Sequence, residues 1–252
     1  MKVIIYGSQG TMGQLASSFF RIKNIDVIEV DVMSKKDGVI TNINDIDDAD
    51  VIIDFSHVSQ IDTLLTYAQK KHKPLLIATT GYSPEQEAKI RRASLEIPIF
   101  KSANLSLGIH LMRLILKDYT KILEAYYDIE IIEKHHKNKV DAPSGTALML
   151  FETLKEASKN ELNLVTNRSD LHEKKDTNDV GIASIRAGQI VGEHTLLFAS
   201  DEDVIELTHK AQSKIMFVKG AWVAANFIVN QNPGYYTMDD IPLERMKNHV
   251  NS

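Results

Sequence analysis

Lys2-Val3-Ile4-Ile5-Tyr6-Gly7-Ser8-Gln9-Gly10-Thr11-Met12-Gly13 stands at the head of the chain, and its reading decides the fold. Lys2 to Tyr6 is a β-rich apolar run, a strand ending in a glycine turn, and a helical pattern follows from about Met12 to Ile22. Glycine in such a turn bends the chain tightly. It also lets backbone N–H groups approach an anion, such as a pyrophosphate, lying on the helix dipole. The spacing is Gly-x-x-Gly-x-x-Gly, shifted at its first interval from the usual dinucleotide fingerprint Gly-x-Gly-x-x-Gly. Alone this motif is weak, and a plain strand-to-helix connection is the bland alternative.

Its surroundings strengthen it. Val27 to Val30 is a second strand, and Asp31 follows it, eighteen positions after Gly13. A carboxylate there can accept hydrogen bonds from the adenosine ribose hydroxyls, which favours NAD. Lys35 and Lys36 lie close behind and could neutralise a 2′-phosphate, which would admit NADP. The bland alternative for Asp31 is a solvated loop acid.

Outward from the turn, strand and helix patterns alternate. Val51 to Phe55 is a third strand, Ile61 to Lys71 helical, Pro74 to Ala78 a fourth strand, Ser83 to Leu95 helical, and Ile97 to Phe100 a short strand. Nearly continuous apolar strands separated by helices indicate an α/β arrangement, a parallel sheet covered on both faces. The loop Ala78-Thr79-Thr80-Gly81 sits at the carboxyl end of the fourth strand, the edge where open parallel sheets hold ligands, so its threonines could line the nicotinamide side of a crevice.

After Ser102-Ala103-Asn104 the pattern changes. A long amphipathic helix is expected over about Gly108 to Glu124, then a strand over Tyr127 to Glu133, then a helix opened by Pro143-Ser144 and running to about Ser158. Residues 160 to 179 are polar without a sustained period and are expected to form a loop. Strands over Ile182 to Arg186, Glu193 to Ala199 and Val204 to Lys210 suggest a second, mostly open sheet. A final helix, about Lys214 to Val229, carries Gly220, Ala221, Ala224 and Ala225 for close packing and stops at Asn232-Pro233-Gly234.

With 252 residues, 43% hydrophobic, 25% charged and a net charge of −5, the composition is that of an ordinary globular protein. The mild acidity argues against nucleic acid as a partner, and Lys70-Lys71-His72-Lys73 is expected to be the solvated end of a helix. No segment reaches the apolar length of a membrane span, and the short apolar run at the N-terminus is no signal-peptide core. A cytoplasmic protein without membrane contact is expected. There is no cysteine, so disulfides, thiolate metal sites and cysteine nucleophiles are excluded.

Chemistry concentrates in His135-His136-Lys137-Asn138-Lys139-Val140-Asp141-Ala142-Pro143-Ser144-Gly145-Thr146. Groups that can hand over protons stand beside a helix N-terminus that can hold an anion. That suits an anionic substrate protonated during reaction. No metal is expected, because neighbouring histidines rarely ligate one ion and no helical His-x-x-x-His occurs. Taken singly, each residue has a duller reading: Lys139 as a solvated lysine, one histidine as a surface residue, Ser144 as an N-cap and Gly145 as a turn residue.

Taken together, Gly7-x-x-Gly10-x-Met12-Gly13, Asp54-Phe55-Ser56, Thr79-Thr80-Gly81, Ser102-Ala103-Asn104 and Glu133-x-His135-His136-x-x-Lys139-x-Asp141-Ala142-Pro143-Ser144-Gly145-Thr146-Ala147 resemble dihydrodipicolinate reductase, now called 4-hydroxy-tetrahydrodipicolinate reductase. Arg186-x-Gly188-x-x-x-Gly192-Glu193-His194 and Ile205-Glu206-Leu207-Thr208-His209-Lys210-Ala211 extend the likeness to essentially the whole chain. The resemblance implies a Rossmann-like dinucleotide domain, residues 1–104 rejoined by 217–252, and an α+β domain, residues 105–216, whose open mixed sheet serves substrate binding and homotetramer assembly.

It further implies NADH or NADPH as cofactor and a cyclic imine dicarboxylate as substrate, in the diaminopimelate route to lysine. His135 looks like the family's catalytic acid/base and Lys139 like its second proton donor. His136 looks like a substrate contact, and Ser144, Gly145 and Thr146 like the carboxylate-holding helix start. Gly7, Ser8, Gln9, Gly10, Thr11, Met12, Asp31, Ala78, Thr79, Thr80, Ser102, Ala103, Asn104 and Leu105 would contact the cofactor. Thr11 stands where the family often has a basic residue that helps hold NADP, which tilts the expectation toward NADH. Ala78 replaces a usual glycine, Val58 a usual proline and Leu105 a frequent phenylalanine. Two other readings stay open at this level: another two-domain dehydrogenase, for example one acting on an amino acid, and a non-enzymatic dinucleotide sensor.

Overall fold

The fold is described from a computed structural model, which places residues 1–169 and 172–244. Two compact units emerge: Met1–Leu107 joined by the described residues from Ile215 onward, and Gly108–Lys214.

The first unit contains β1 (Lys2–Tyr6), α1 (Thr11–Ile22), β2 (Asp26–Val30), β3 (Val51–Asp54), α2 (Ile61–Lys71), β4 (Leu75–Ile77), α3 (Pro84–Ala93) and β5 (Pro98–Lys101). The second contains α4 (Leu107–Leu123), which begins at the boundary, then β6 (Asp128–His135), α5 (Gly145–Ala157), β7 (Asn163–Val165), β8 (Asp179–Arg186), β9 (Glu193–Ala199) and β10 (Val204–Lys210). The chain returns to the first unit with α6 (Ile215–Ile228) and β11 (Gly234–Tyr236).

Sheet order in the first unit is β11-β5-β4-β3-β1-β2, and every pairing is parallel. Alternate residues of each strand enter opposite layers. Val3, Ile5, Val51, Ile53 and Leu76 pack with Phe20 of α1 and with Val218, Ala221 and Ala224 of α6. Ile4, Ile52, Leu75, Ile77 and Ile99 pack with Leu64 and Tyr67 of α2 and with Ile90 of α3. Both faces are therefore dry, which is why Val3–Tyr6, Val51–Ile53 and Leu75–Ile77 are apolar at every position. The basic cluster closes α2 as expected: Lys70 and Lys71 lie in its last turn, and His72 leaves it in the left-handed region at φ 50°.

Sheet order in the second unit is β10-β9-β6-β8-β7, with β6, β7 and β8 parallel and β9 and β10 antiparallel to their neighbours. Ile129, Ile131, Val180, Ile182, Leu196 and Phe198 form one face, covered by Ile109, Met112 and Leu116 of α4 and by Leu150, Phe151 and Leu154 of α5. The strand pattern suggested this second sheet, and the family resemblance implied that it is mixed.

Two strands correct the sequence reading. Asn163–Val165, placed within the expected loop, forms β7 along the free edge of β8. Gly234–Tyr236, beyond the expected end of regular structure, forms β11 beside β5. Each is three residues long, too short to show a period, and each is stabilised by an edge that only the folded chain supplies. Among the boundaries that move, β8 starts at Asp179 rather than Ile182, and β6 runs on to His135 instead of stopping at Glu133. The second shift matters for the site.

Candidate functional site

In the first unit the glycine turn is built by close approach. Gly7 has φ +81°, and a Cβ there would come within 2.7 Å of the Phe55 carbonyl oxygen. A Cβ on Gly13 would lie 2.2 Å from the Gly7 carbonyl oxygen, so only glycine lets α1 start directly over the turn. Gly10 precedes the helix without a side-chain cap, and no acid occupies the first turn. Without a cap or an acid in its first turn, that helix end presents N–H groups and a positive dipole to an anion, which fits a pyrophosphate.

Ser8 and Gln9 complete the turn, and Thr11 and Met12 open α1. Ser8 is buried and donates its N–H to Val30 O, while the Gln9 N–H donates to Asp31 Oδ2 at 3.1 Å. Asp31 thus stands at the turn, as its spacing suggested. One cavity of about 420 Å³ is lined by Gly7, Gly10, Asp31, Met33, Phe55 and Ser56. A neighbouring one of about 430 Å³ shares Phe55, Ser56 and His57 and adds Met12, Ala78, Thr79 and Thr80. Both lie at the carboxyl ends of the parallel strands, where such sheets hold ligands.

Beneath them, fully buried Asp54 accepts hydrogen bonds from Ser56 N–H at 2.9 Å and from Tyr82 O–H at 3.2 Å. Burial pushes its carboxyl above the usual range, against the pull of Ser56, Thr79 and Tyr82. Ser102, Ala103, Asn104 and Leu105 follow β5 but line neither cavity. Ser102 N–H donates to Ile77 O, and the Leu105 side chain is buried in the core.

In the second unit the extension of β6 puts Glu133 and His135 on the face that carries Ile129 and Ile131. The apolar face therefore ends in an ionic patch. Glu133 is fully buried and takes a two-pronged contact from Arg186 of β8, Nη1 to Oε2 at 2.8 Å and Nη2 to Oε1 at 2.7 Å. His135 Nδ1 donates to Glu133 Oε2 at 2.6 Å, and the Ser144 N–H donates to Glu133 Oε1 at 3.2 Å. Burial works against ionisation of Glu133, but hydrogen bonds from Arg186, Ser184 and His135 prevail and hold its pKa at about 2.

Ser144 caps α5, its Oγ accepting from Ala147 N–H at 3.2 Å, and the same oxygen lies 2.9 Å from His194 Nε2. His194, directly opposite Glu133 in the sheet, has its ring edge-on to that of His135 at 5.2 Å. Burial, reinforced by the charge of His135, lowers its pKa to about 4, so it is neutral at ordinary pH. Gly145 and Thr146 begin the first turn of α5, in which no acid is present. A Cβ on Gly145 would meet nothing within 4 Å.

The structure thus brings His135, Ser144 and the α5 N-terminus together through Glu133. Lys139 is bound differently: its ammonium pairs with Asp141 Oδ1 at 2.8 Å. His136 is half-buried, and its carbonyl accepts from Lys139 N–H.

Glu133, Arg186 and His194 were not among the expected site residues. The signal was available for one of them. A glutamate at the core-facing parity of Ile129-x-Ile131-x-Glu133-x-His135 implies a buried charge with partners. Arg186 and His194 come from strands that only sheet pairing brings alongside β6.

Family comparisons agree with this architecture. A family model for the N-terminus of dihydrodipicolinate reductase matches residues 1–105, and one for its C-terminus matches residues 108–241. The 4-hydroxy-tetrahydrodipicolinate reductase of Clostridium novyi (strain NT) is 43% identical over 246 residues, 95% of this chain and 97% of that one. That of Caldanaerobacter subterraneus subsp. tengcongensis is 39% identical, covering 96% of this chain and 98% of its own length. A solved dipicolinate-bound dihydrodipicolinate reductase from Paenisporosarcina sp. TG-14 shares the fold, with a TM-score of 0.72 at 22% identity over 96% of this chain and 99% of that one.

Proposed function

Because this chain belongs to the dihydrodipicolinate reductase family, we propose that it reduces 4-hydroxy-tetrahydrodipicolinate to tetrahydrodipicolinate with NADH or NADPH, in the diaminopimelate route to lysine. It is an NAD(P)H-dependent oxidoreductase. The observation that carries the chemical reading is the shared bonding of His135 and the α5 N-terminus to Glu133, which sets a proton donor beside an anion holder.

The glycine turn, the uncapped end of α1 and Asp31 are the residues that would hold the dinucleotide, with Ala78, Thr79 and Thr80 further along the crevice. Ser102 to Leu105 belong to the same proposal through their place after β5. When bound, the reduced nicotinamide supplies a hydride to an electron-poor carbon of the substrate ring. The chain supplies the rest. The amides of Gly145 and Thr146 receive one carboxylate, and the absence of a Cβ on Gly145 keeps that approach open. His136 and Lys139 offer donors or positive charge to the dianion, with Lys139 exchanging Asp141 for substrate. The electron-rich enamine left after hydride addition takes a proton from His135. Nε2 is the delivering nitrogen, because Nδ1 is turned to Glu133. Hydride and proton enter, and water leaves from the hydroxylated precursor.

Two wider expectations belong here. A homotetramer is supported by the sheet face turned away from α5, where Ile185 and Val204 are 42% and 56% exposed; sedimentation at equilibrium tests it. A cytoplasmic setting is supported by the dependence on reduced nicotinamide, and no helix among the described residues is long and apolar enough to cross a membrane.

The deciding experiment mixes the protein with freshly made substrate and follows nicotinamide absorbance. Oxidation of NADH or NADPH that needs both substrate and protein is expected; no oxidation of either would remove the proposal. His135→Gln is expected to lower kcat by about 100-fold or more, the usual weight of a general acid, with cofactor affinity retained. Loss of cofactor binding at unchanged kcat would contradict its role.

A further inference from the structure

The chemistry above uses His135 and the N-terminus of α5 but leaves unexplained why a carboxylate with no exposed surface lies between them. A buried ionised glutamate is costly unless every lone pair is used. Besides the hydrogen bond from the Ser184 side chain, each Glu133 oxygen accepts two more. Oε2 accepts from His135 Nδ1 at 2.6 Å and from Arg186 Nη1 at 2.8 Å. Oε1 accepts from the Ser144 N–H at 3.2 Å and from Arg186 Nη2 at 2.7 Å. The guanidinium is tied down in turn, since Nη2 also donates to Asp141 O.

From this geometry we infer that Glu133 is the positioning residue for both halves of the site, orienting the His135 imidazole through one oxygen and the start of α5 through the other, with Arg186 fixing the carboxylate plane. The inference rests on the reading above that His135 delivers the proton and α5 receives a substrate carboxylate. A carboxylate bonded to Nδ1 selects the tautomer and ring angle and leaves Nε2 for the reacting atom. Its hydrogen bond to the N-cap amide holds the helix end one residue before Gly145. One side chain thereby sets the distance between proton donor and anion site. A misplacement of about 1 Å there costs on the order of 100-fold in rate. His194 braces the arrangement from the other side, touching the His135 ring and the Ser144 hydroxyl.

The test substitutes Glu133→Gln, which keeps the shape but removes the charge and one acceptor. Three quantities are read: steady-state kinetics, NADH affinity, and the histidine side-chain 15N spectrum with assigned amides of the β6–α5 segment. A fall in kcat of about 100-fold, a rise in the dicarboxylate KM and NADH affinity within about twofold of the parent are expected. The spectrum is expected to show the His135 Nδ1–H signal lost or shifted, together with the amides of Ser144 and Gly145. A merely structural glutamate would instead lower NADH affinity along with kcat, or leave the His135 signal where it was. Either result overturns the inference.

Should Glu133→Gln not fold, Arg186→Lys serves: a single ammonium keeps the charge pair but cannot hold both oxygens. It is expected to perturb the His135 and Ser144 signals together, and perturbation of only one would refute the joint role. The spectral arm does not depend on turnover. A parent enzyme inactive on this substrate would therefore defeat the proposed function without touching the positioning result.

Discussion

The carboxylate of Asp31 is fastened to the glycine turn: its Oδ2 accepts the backbone N–H of Gln9 at 3.1 Å, while Oδ1 accepts that of Met33 at 3.1 Å. The end of β2 and the mouth of α1 are thereby one rigid corner. A negative charge stands at the turn, where the proposed dinucleotide reading puts the adenosine ribose, and Lys35 and Lys36, both exposed, are the nearby cations along the chain.

Asp31→Ala should lower NADH affinity by about 10- to 100-fold, the weight of hydrogen bonds to a charged group, while NADPH binding changes little or improves. Asp31→Asn, which keeps an acceptor for Gln9, should show the same selectivity with a smaller loss. Titration of both cofactors by fluorescence decides it. An equal loss for both would mean the carboxylate serves only the turn.

Within that turn the glycines are not equivalent. Gly13→Ala puts a methyl 2.2 Å from the Gly7 carbonyl and should destabilise by about 1–3 kcal/mol, the usual range for overpacking, with loss of cofactor affinity. Gly10→Ala meets only an ordinary contact at 3.5 Å and should leave the thermal midpoint nearly unchanged. Equal midpoints for the two variants would refute this account of the spacing.

Gly145 has open space beyond its Cα, so Gly145→Val should fold with an unchanged midpoint. Its side chain would then stand where a carboxylate must approach the first-turn amides. Substrate KM should rise by about tenfold, the weight of one charge-assisted hydrogen bond, and cofactor affinity should hold. An unaltered KM would place the carboxylate elsewhere.

His194 makes stability depend on pH. Its pKa of about 4 in the folded chain lies below the ordinary 6.5 that the unfolded chain restores. Between those values the unfolded state binds more protons, so stability is fully present above about pH 6.5 and declines as the pH falls toward 4. Glu133, ordinarily 4.5 but held at about 2, adds a second decline below about pH 4.5. Calorimetry across pH 7 to 4 should show the midpoint falling. His194→Gln, which can still reach Ser144, should flatten the upper part of that fall. An identical slope in the variant would show that His194 is not its source.

Much of this was written in local order. The apolar runs at Val3–Tyr6, Val51–Ile53 and Leu75–Ile77 require two covered faces whatever their partners are, so the parallel sheet was legible before its strand order was. The glycine turn and the block from His135 to Thr146 could be singled out because their members lie close together along the chain, and Asp31 by its spacing alone, although it meets Gln9 from 22 positions away. β7 and β11 were not legible, because three residues carry no period and their stability comes from edges supplied by β8 and β5.

The same division runs through the site. Sequence alone determined which groups are present: an imidazole, an ammonium and a helix start lie within twelve residues, on a chain with a dinucleotide turn. Only the tertiary structure decided how they are held. Arg186 and His194 sit 51 and 59 positions beyond His135, and they meet it because β8 and β9 flank β6. A buried charge is stable only when the fold closes donors around it. The partners of Glu133 were therefore a matter of sheet pairing rather than of spacing along the chain.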